Sequence, residues 1–332
     1  MSKPPRPAAV ANAALQAGLV VASFGRHVLV ETGDGKRLIC HPRGKKNQAL
    51  VGDNVRWLPT EDEGTIEKID ERSNALYRQD ELRTKSFAAN LDQVLVLIAA
   101  EPEFSESQLT RALIAAEAAR ITPIIALNKS DLTEPFARAW AKLAPYRTMG
   151  YQVLPLAIKP KSDAATADTA PTGTPNAAQT AALMALLQGK KTLVLGPSGA
   201  GKSSLTNLLI PAAKVLTAEI SQALNSGKHT TTSTTLYWTD AARTTALIDS
   251  PGFQEFGLHH IAPMQLSTLM PDLHAKAQAC KFYNCTHLHE PGCGVIAEVD
   301  ADNKSADSRR SISLNRYRLY GELFAELSQT RY

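Results

Sequence analysis

"ITPIIALNKSDL", residues 121–132, and "LVLGPSGAGKSSL", residues 193–205, decide the fold by the order in which they come. Each is an apolar run of strand type that feeds a polar loop. The first loop holds Asn128, Lys129, Ser130 and Asp131, the N-x-x-D pattern of a loop that reads guanine. The second fits G-x-x-x-x-G-K-[ST], a phosphate-binding loop between a strand and a helix start. Nucleotide-binding domains normally present the phosphate loop first, and here it comes second. Cutting a closed α/β domain at an exposed loop and joining its nearby ends changes the order of motifs but not their places in space. The order therefore predicts a circularly permuted α/β P-loop domain.

The chemistry of each loop follows from its residue types. In the second, Gly196, Gly199 and Gly201 let the backbone turn so that N–H groups point at phosphate, and the following helix N-terminus adds positive potential. Pro197, Ser198, Ala200 and Ser204 complete the cradle, Lys202 suits the β- and γ-phosphates, and the Ser203 hydroxyl suits Mg²⁺. In the first loop, the Asp131 carboxylate can accept from both N1–H and the exocyclic amine of guanine, which adenine cannot offer. Asn128 would orient base and loop, with the aliphatic stem of Lys129 along the ring face. GTP is the expected nucleotide. A P-loop ATPase or kinase conflicts with Asp131.

Downstream, "ALIDSPGF" (246–253) is a strand ending in D-x-x-G, where Asp249 can face the ion and the Gly252 amide can sense a γ-phosphate. Between these motifs "NSGKHTTTSTT" (225–235) has no core periodicity and suits a switch loop, with Thr231 the preferred Mg²⁺ ligand and Thr230 and Thr232 as alternatives. Signalling GTPases place a glutamine after D-x-x-G to orient the attacking water, and this chain has Phe253 there. Unaided hydrolysis should be slow, and a completing partner can be worth about 10³–10⁵ in rate. His229 is the local candidate for orienting water, so the catalytic candidates are Lys202, His229 and Thr231.

Working outward, residues 1–16 lack apolar periodicity and read as a flexible tail. Five short apolar runs between Gly18 and Asp80, separated by turn signals, predict a small β-barrel over 17–82. Strands alternating with helices follow over 83–260, interrupted at 159–175 by an Ala/Thr/Pro-rich flexible insertion. A last region, 261–332, ends in the amphipathic stretch "SLNRYRLYGELFAEL" (313–327). With 332 residues, 44% hydrophobic and 20% charged, the chain can bury the cores of two or three domains. A net charge of +4 permits nucleic-acid contact without requiring it. No apolar run nears the roughly 18 residues of a membrane span, and the opening residues have no secretory stretch, which predicts a cytoplasmic protein without membrane contact.

Three of the four cysteines crowd into "CKFYNCTHLHEPGC" (280–293), spaced C-x4-C-x-H-x5-C. Cys280, Cys285, His287 and Cys293 are the donors a closed zinc site uses, with His289 competing for the histidine place. Reduced, unliganded thiols are the alternative, but so short a segment has little core of its own.

Taken together, "RGK" (43–45), "VGDNV" (51–55), "NKSD", "GPSGAGKSS", "GKHTTT", "DSPGF", the cysteine segment and "RYRLY" (316–320) make the chain resemble the bacterial ribosome small-subunit-dependent GTPase family, RsgA, over nearly its whole length. The resemblance implies an N-terminal OB-fold, a circularly permuted GTPase domain and a small, mainly α C-terminal zinc domain. It also implies a protein that binds GTP or GDP, acts late in maturation of the 30S ribosomal subunit and is stimulated by that subunit; a monomer is expected. The family's Ser-Ala loop behind the guanine is "PLAIK" here, with Leu156 and Ala157 in its place. For contact with 16S rRNA, Lys36, Arg37, Arg43, Lys45 and Lys46 form an acid-free segment on or beside the barrel. Arg309, Arg310, Arg316 and Arg318 are either a second contact or one charged helix face. A structural RNA-binding module that holds GTP or GDP without useful turnover is the other reading.

Overall fold

Five N-terminal strands close on themselves because their apolar residues alternate inward. They are β1 (Gln16–Phe24), β2 (His27–Glu31), β3 (Arg37–Pro42), β4 (Asn54–Pro59) and β5 (Gly64–Ile69). Their order is β1-β2-β3-β5-β4, and β4 returns to β1 through Gln16↔Trp57 to Leu19↔Asn54. Val20, Val28, Val30, Cys40, Val55, Trp57 and Ile66 fill the interior of this OB-type barrel. The computed structural model describes residues 14–24, 27–44, 48–60, 63–79, 84–159, 176–211, 213, 234–252, 256–300 and 311–329. Most of the tail, Lys45, Lys46, nearly all of the 159–175 insertion, His229, Thr230, Thr231, Thr232, Phe253, Arg309 and Arg310 lie outside the described residues.

A hairpin of β6 (Ala75–Gln79) and β7 (Thr84–Ala89) follows the barrel. It spans the division expected between residues 82 and 83. Next come β8 (Gln93–Ala99), α1 (Glu106–Ala118), β9 (Thr122–Asn128), α2 (Thr133–Lys142), α3 (Ala144–Thr148) and β10 (Gln152–Pro155). Then follow α4 (Ala177–Leu187), β11 (Lys191–Leu195), α5 (Lys202–Leu209), β12 (Thr234–Trp238) and β13 (Ala246–Asp249). The strands lie in the order β10-β9-β8-β11-β13-β12, all parallel except β12. β8 is buried along its whole length, with Val94, Val96 and Ile98 in one core and Leu95 and Leu97 in the other. That two-sided burial is why its sequence is a continuous apolar run rather than an alternating one.

Barrel and parallel sheet are one eleven-stranded sheet, because β1 also pairs with β12 through Ala22↔Thr235 and Ser23↔Thr234. A register shift between Val20 and Ala22 lets β1 leave its barrel partner β4 and turn toward β12. The buried Glu31 carboxylate staples this junction: it accepts from Trp238 Nε1 at 2.7 Å and from Arg37 Nε at 2.8 Å, and Arg243 Nη1 lies 3.5 Å away.

The C-terminal region is a 3-10 turn (Pro263–Leu269), α6 (Pro271–Ala277), α7 (Gly294–Ala297) and α8 (Leu314–Ser328). Its contact with the permuted domain corrects one expectation. Arg316 is 3% exposed and is therefore not a surface contact for RNA. Its guanidinium pairs with Asp272 at 3.0 and 3.1 Å, donates to Thr110 Oγ1 at 2.8 Å and lies over the Tyr146 ring at 5.2 Å. Asp272→Ala would leave that cation buried without its counter-charge and is expected to cost about 3–5 kcal/mol in a denaturant titration. Replacing both partners by apolar residues of similar size should recover most of the loss, and equal destabilisation in single and double variants would refute the pairing. Arg318, two residues on, is exposed. Among the described residues no helix is long and apolar enough to cross a membrane.

Candidate functional site

Three loops leave the carboxyl ends of parallel strands and meet on one edge of the sheet: Asn128–Asp131 after β9, Gly196–Ser203 after β11, and Asp249–Gly252 after β13. That edge, where the strand order reverses around β8 and β11, is where open α/β sheets bind ligands. The permuted chain order thus yields an ordinary spatial arrangement.

The phosphate-type loop can pass here only because it lacks side chains at two points. A Cβ on Gly196 would lie 2.1 Å from the Leu97 carbonyl oxygen. Gly201, the residue before α5, has φ +106°, and a Cβ there would lie 2.5 Å from Asn128 Nδ2. Lys202 Nζ donates to the Gly196 and Pro197 carbonyls, both at 2.8 Å, so its ammonium is held across the loop mouth. Ser198, Gly199 and Ser203 are exposed, while Ala200 is buried and Ser204 half-buried behind them.

Asp249 faces Lys202 from the neighbouring loop. Burial pushes the Asp249 carboxyl above the usual carboxylate range, and the Lys202 charge opposes that shift. Burial likewise pulls the Lys202 ammonium down, against the pull of Asp249. Ser250 Oγ donates to the Val194 carbonyl at 2.8 Å, tying the D-x-x-G turn to β11. A Cβ on Gly252 would lie 3.0 Å from Lys202 Nζ and 3.5 Å from the Ser198 nitrogen, so this glycine stands directly against the phosphate-type loop.

Asn128 is the link that sequence reading undervalued. It is 4% exposed; its Nδ2 donates to the Ala200 carbonyl at 2.9 Å, and its Oδ1 accepts from the Ile158 amide at 3.1 Å. One amide therefore joins the base-reading type loop, the phosphate-type loop and the "PLAIK" segment. The Ser130 amide donates to the Leu156 carbonyl at 2.9 Å, so backbone groups hold the Leu156–Ala157 turn in place without the family's serine. Lys129 takes φ +66°, which turns the chain so that Asn128 points inward while Lys129 and Asp131 stay partly exposed.

The expected metal ligands converge in a second place. Cys280, Cys285, His287 and Cys293 offer ligand atoms that all lie within 4.8 Å of one another. His287 Nδ1 is 3.4 Å from the sulfurs of Cys280 and Cys293, which are 3.8 Å apart. A tetrahedral zinc with ordinary Zn–S and Zn–N bonds has edges of about 3.8 Å (S···S) and about 3.5 Å (S···N). The residues fit a Cys3His zinc site, with His287 rather than His289 as the imidazole. The Gly294 and Ile296 amides donate to the sulfurs of Cys280 and Cys293 at 3.3 and 3.4 Å, partners that favour thiolates. Glu290, absent from the sequence reading, accepts from the Thr286 amide at 2.8 Å and from the Leu288 and His289 amides at 3.2 and 3.3 Å, fixing the turn in which His287 takes φ +63°.

The basic segment of the barrel is less free than its sequence suggested. Its own residues include no acid, but the adjoining strands supply them: Arg37 pairs with Glu31, and Arg43 with Glu67 at 2.6 Å. Lys36 lies 3.5 Å from Asp34.

Comparison with known proteins agrees with this geometry. The family model described as RsgA GTPase matches residues 69–259. "Small ribosomal subunit biogenesis GTPase RsgA" of Variovorax paradoxus (strain S110) is 70% identical over 318 residues, covering 96% of this chain and 94% of that protein. The protein of the same name from Paraburkholderia xenovorans (strain LB400) is 49% identical over 317 residues, covering 94% and 93%. Among solved structures, YloQ, titled a circularly permuted GTPase, is 27% identical with a TM-score of 0.65, covering 98% of this chain and all of its own. YjeQ from Thermotoga maritima is also 27% identical, with a TM-score of 0.68 and coverage of 96% and 100%.

Proposed function

Given that the chain belongs to the RsgA GTPase family, we propose that it binds the 30S ribosomal subunit and its 16S rRNA late in small-subunit maturation and hydrolyses GTP fastest there. The reaction is GTP and water to GDP and phosphate. The observation that supports nucleotide binding is the bridge made by Asn128, whose amide joins the loop after β9 to the loop after β11.

Within that frame the residues take distinct tasks. Asp131 selects guanine, with Asn128, Lys129 and Ser130 shaping its pocket. The amides from Gly196 to Ser204 and the Lys202 ammonium hold the phosphates, and bound nucleotide takes Lys202 from the Gly196 and Pro197 carbonyls. Ser203, Asp249 and Thr231 would hold Mg²⁺, which supplies charge neutralisation between the β- and γ-phosphates. Gly252 reports the γ-phosphate, and His229 orients water, since Phe253 cannot. Such a site is incomplete alone and depends on its partner for speed. The protein acts as a cytoplasmic monomer, and the barrel's basic segment contacts RNA, Arg43 being exposed on it.

Phosphate release from GTP, with ATP as control and with and without purified 30S subunits, tests the reading. The expected result is GTP-selective turnover raised by about 10³-fold or more by 30S. Lys202→Ala should fall to background in both conditions, having lost the β/γ-phosphate contact. Tight GTP binding with no response to 30S would sink the proposal.

A further inference from the structure

The zinc loop uses its tyrosines and its neighbours' tyrosines in opposite ways. From behind, Tyr317 Oη donates to the His287 carbonyl at 2.8 Å and Tyr320 Oη to the Thr286 carbonyl at 2.7 Å, with Tyr320 itself 1% exposed. In front, Phe282 and Tyr283 lie between ligands Cys280 and Cys285, and they are 41% and 103% exposed. A ring of Tyr283's size with no protein neighbour forgoes the burial that aromatic side chains ordinarily contribute. The short loop that carries it is nevertheless anchored at both ends, by Cys280 and Cys285 in the ligand cluster, and the Lys281 amide donates to the Gly292 carbonyl at 3.0 Å. The rings are presented on a fixed base, so little ordering is left for a partner to impose.

The charge around them narrows the partner's chemistry. Apart from the ligand His287, residues 281–289 include Lys281 and one further histidine, His289, and no acid. Lys281 Nζ stands 5.6 Å from the Phe282 ring centre. Glu290, the nearest acid in sequence, has both carboxylate oxygens engaged by the loop's own amides and the Thr286 hydroxyl. Exposed aromatic faces beside a lysine suit a polyanion whose bases are unpaired. Every base has a π-face to stack, and phosphates supply the counter-charge. An apolar protein pocket would receive the rings but would gain nothing from Lys281.

We infer that Phe282 and Tyr283 form a stacking platform for an unpaired nucleobase of ribosomal RNA, with Lys281 beside the adjoining phosphate. The inference rests on the small-subunit reading and assigns the stacking to two individual side chains of the zinc loop.

Three variants, Tyr283→Phe, Tyr283→Leu and Tyr283→Trp, separate stacking from other contacts. Zinc content and the melting curve of each show whether the loop is intact. In co-sedimentation with 30S, Tyr283→Phe should bind within about twofold of wild type. Tyr283→Leu should bind about 5- to 150-fold more weakly, the range of one lost base stack. Emission from the new indole of Tyr283→Trp, after subtraction of the wild-type signal, should be quenched by 30S and by a short single-stranded oligoadenylate at low salt. Leu binding as tightly as wild type would overturn the platform. So would a brighter, blue-shifted indole on 30S, which marks an apolar protein pocket. If wild type itself fails to bind 30S, the small-subunit reading falls, and the oligoadenylate arm alone then decides: quenching keeps the platform and its absence removes it.

Discussion

Asp131→Asn is expected to lower GTP affinity by about 10⁴-fold. In the proposed site the carboxylate would accept two guanine hydrogens, and the amide would replace one acceptor with a donor that faces a donor. A site built around such hydrogen bonds rejects a mismatched group by roughly 10⁴–10⁵. The substitution keeps size and shape, and the loop frame is held elsewhere, by Asn128 on the Ala200 carbonyl and by Ser130 on the Leu156 carbonyl. The loss should therefore fall on the base and not on the fold. Xanthosine triphosphate, with a carbonyl in place of the exocyclic amine, should regain most of the affinity in the same variant. Competition against a fluorescent guanine nucleotide measures both, and unchanged GTP binding would remove Asp131 from its assigned task.

Stripping the zinc should have the largest effect on stability. Structural zinc sites in small peptides are worth about 10–16 kcal/mol near neutral pH. Here Cys285 and Cys293 belong to the same buried cluster as Val295, Tyr320 and Leu323, so the metal and the C-terminal core stand or fall together. Burial pushes the Cys285 thiol up, and a bound cation would favour its thiolate. A strong chelator, or Cys285→Ser, should open residues 271–328 to protease while the sheet from β8 to β13 stays protected. Release of one equivalent of zinc in parallel with cleavage would tie the two events. Full protease protection after complete zinc loss would show that packing alone holds the region.

The residues that sequence made legible are those whose chemistry is local. The C-x4-C-x-H-x5-C spacing acts within a few residues, and its four donors are found together as read. The β6–β7 hairpin was missed because "ALYRQDELRTKSFAA" mixes charges into both strands, and its apolar positions, Leu76, Phe87 and Ala88, show only against the core they join. β12 was read as part of a polar loop because its first residues, Thr234 and Thr235, look like the threonines before them. What makes them strand is pairing on both sides, to β13 and to β1. Arg316 was misplaced for the same reason at longer range: its partners Asp272 and Thr110 are distant in sequence, and without them an arginine in a helix reads as solvent-facing. The basic barrel segment lacked acids only in one dimension. Glu31 and Glu67 reach it across the sheet.

The pairing of Ser23 with Thr234 has a consequence in time as well as in space. The two residues are more than two hundred positions apart, so during synthesis β1 leaves the ribosome long before β12 exists. At about 5–20 residues per second the interval is roughly ten to forty seconds, far longer than a small barrel needs to close. The barrel therefore folds first and offers the outer half of β1 as an unpaired edge, and the antiparallel strand of the permuted sheet, β12, arrives to find its template already built.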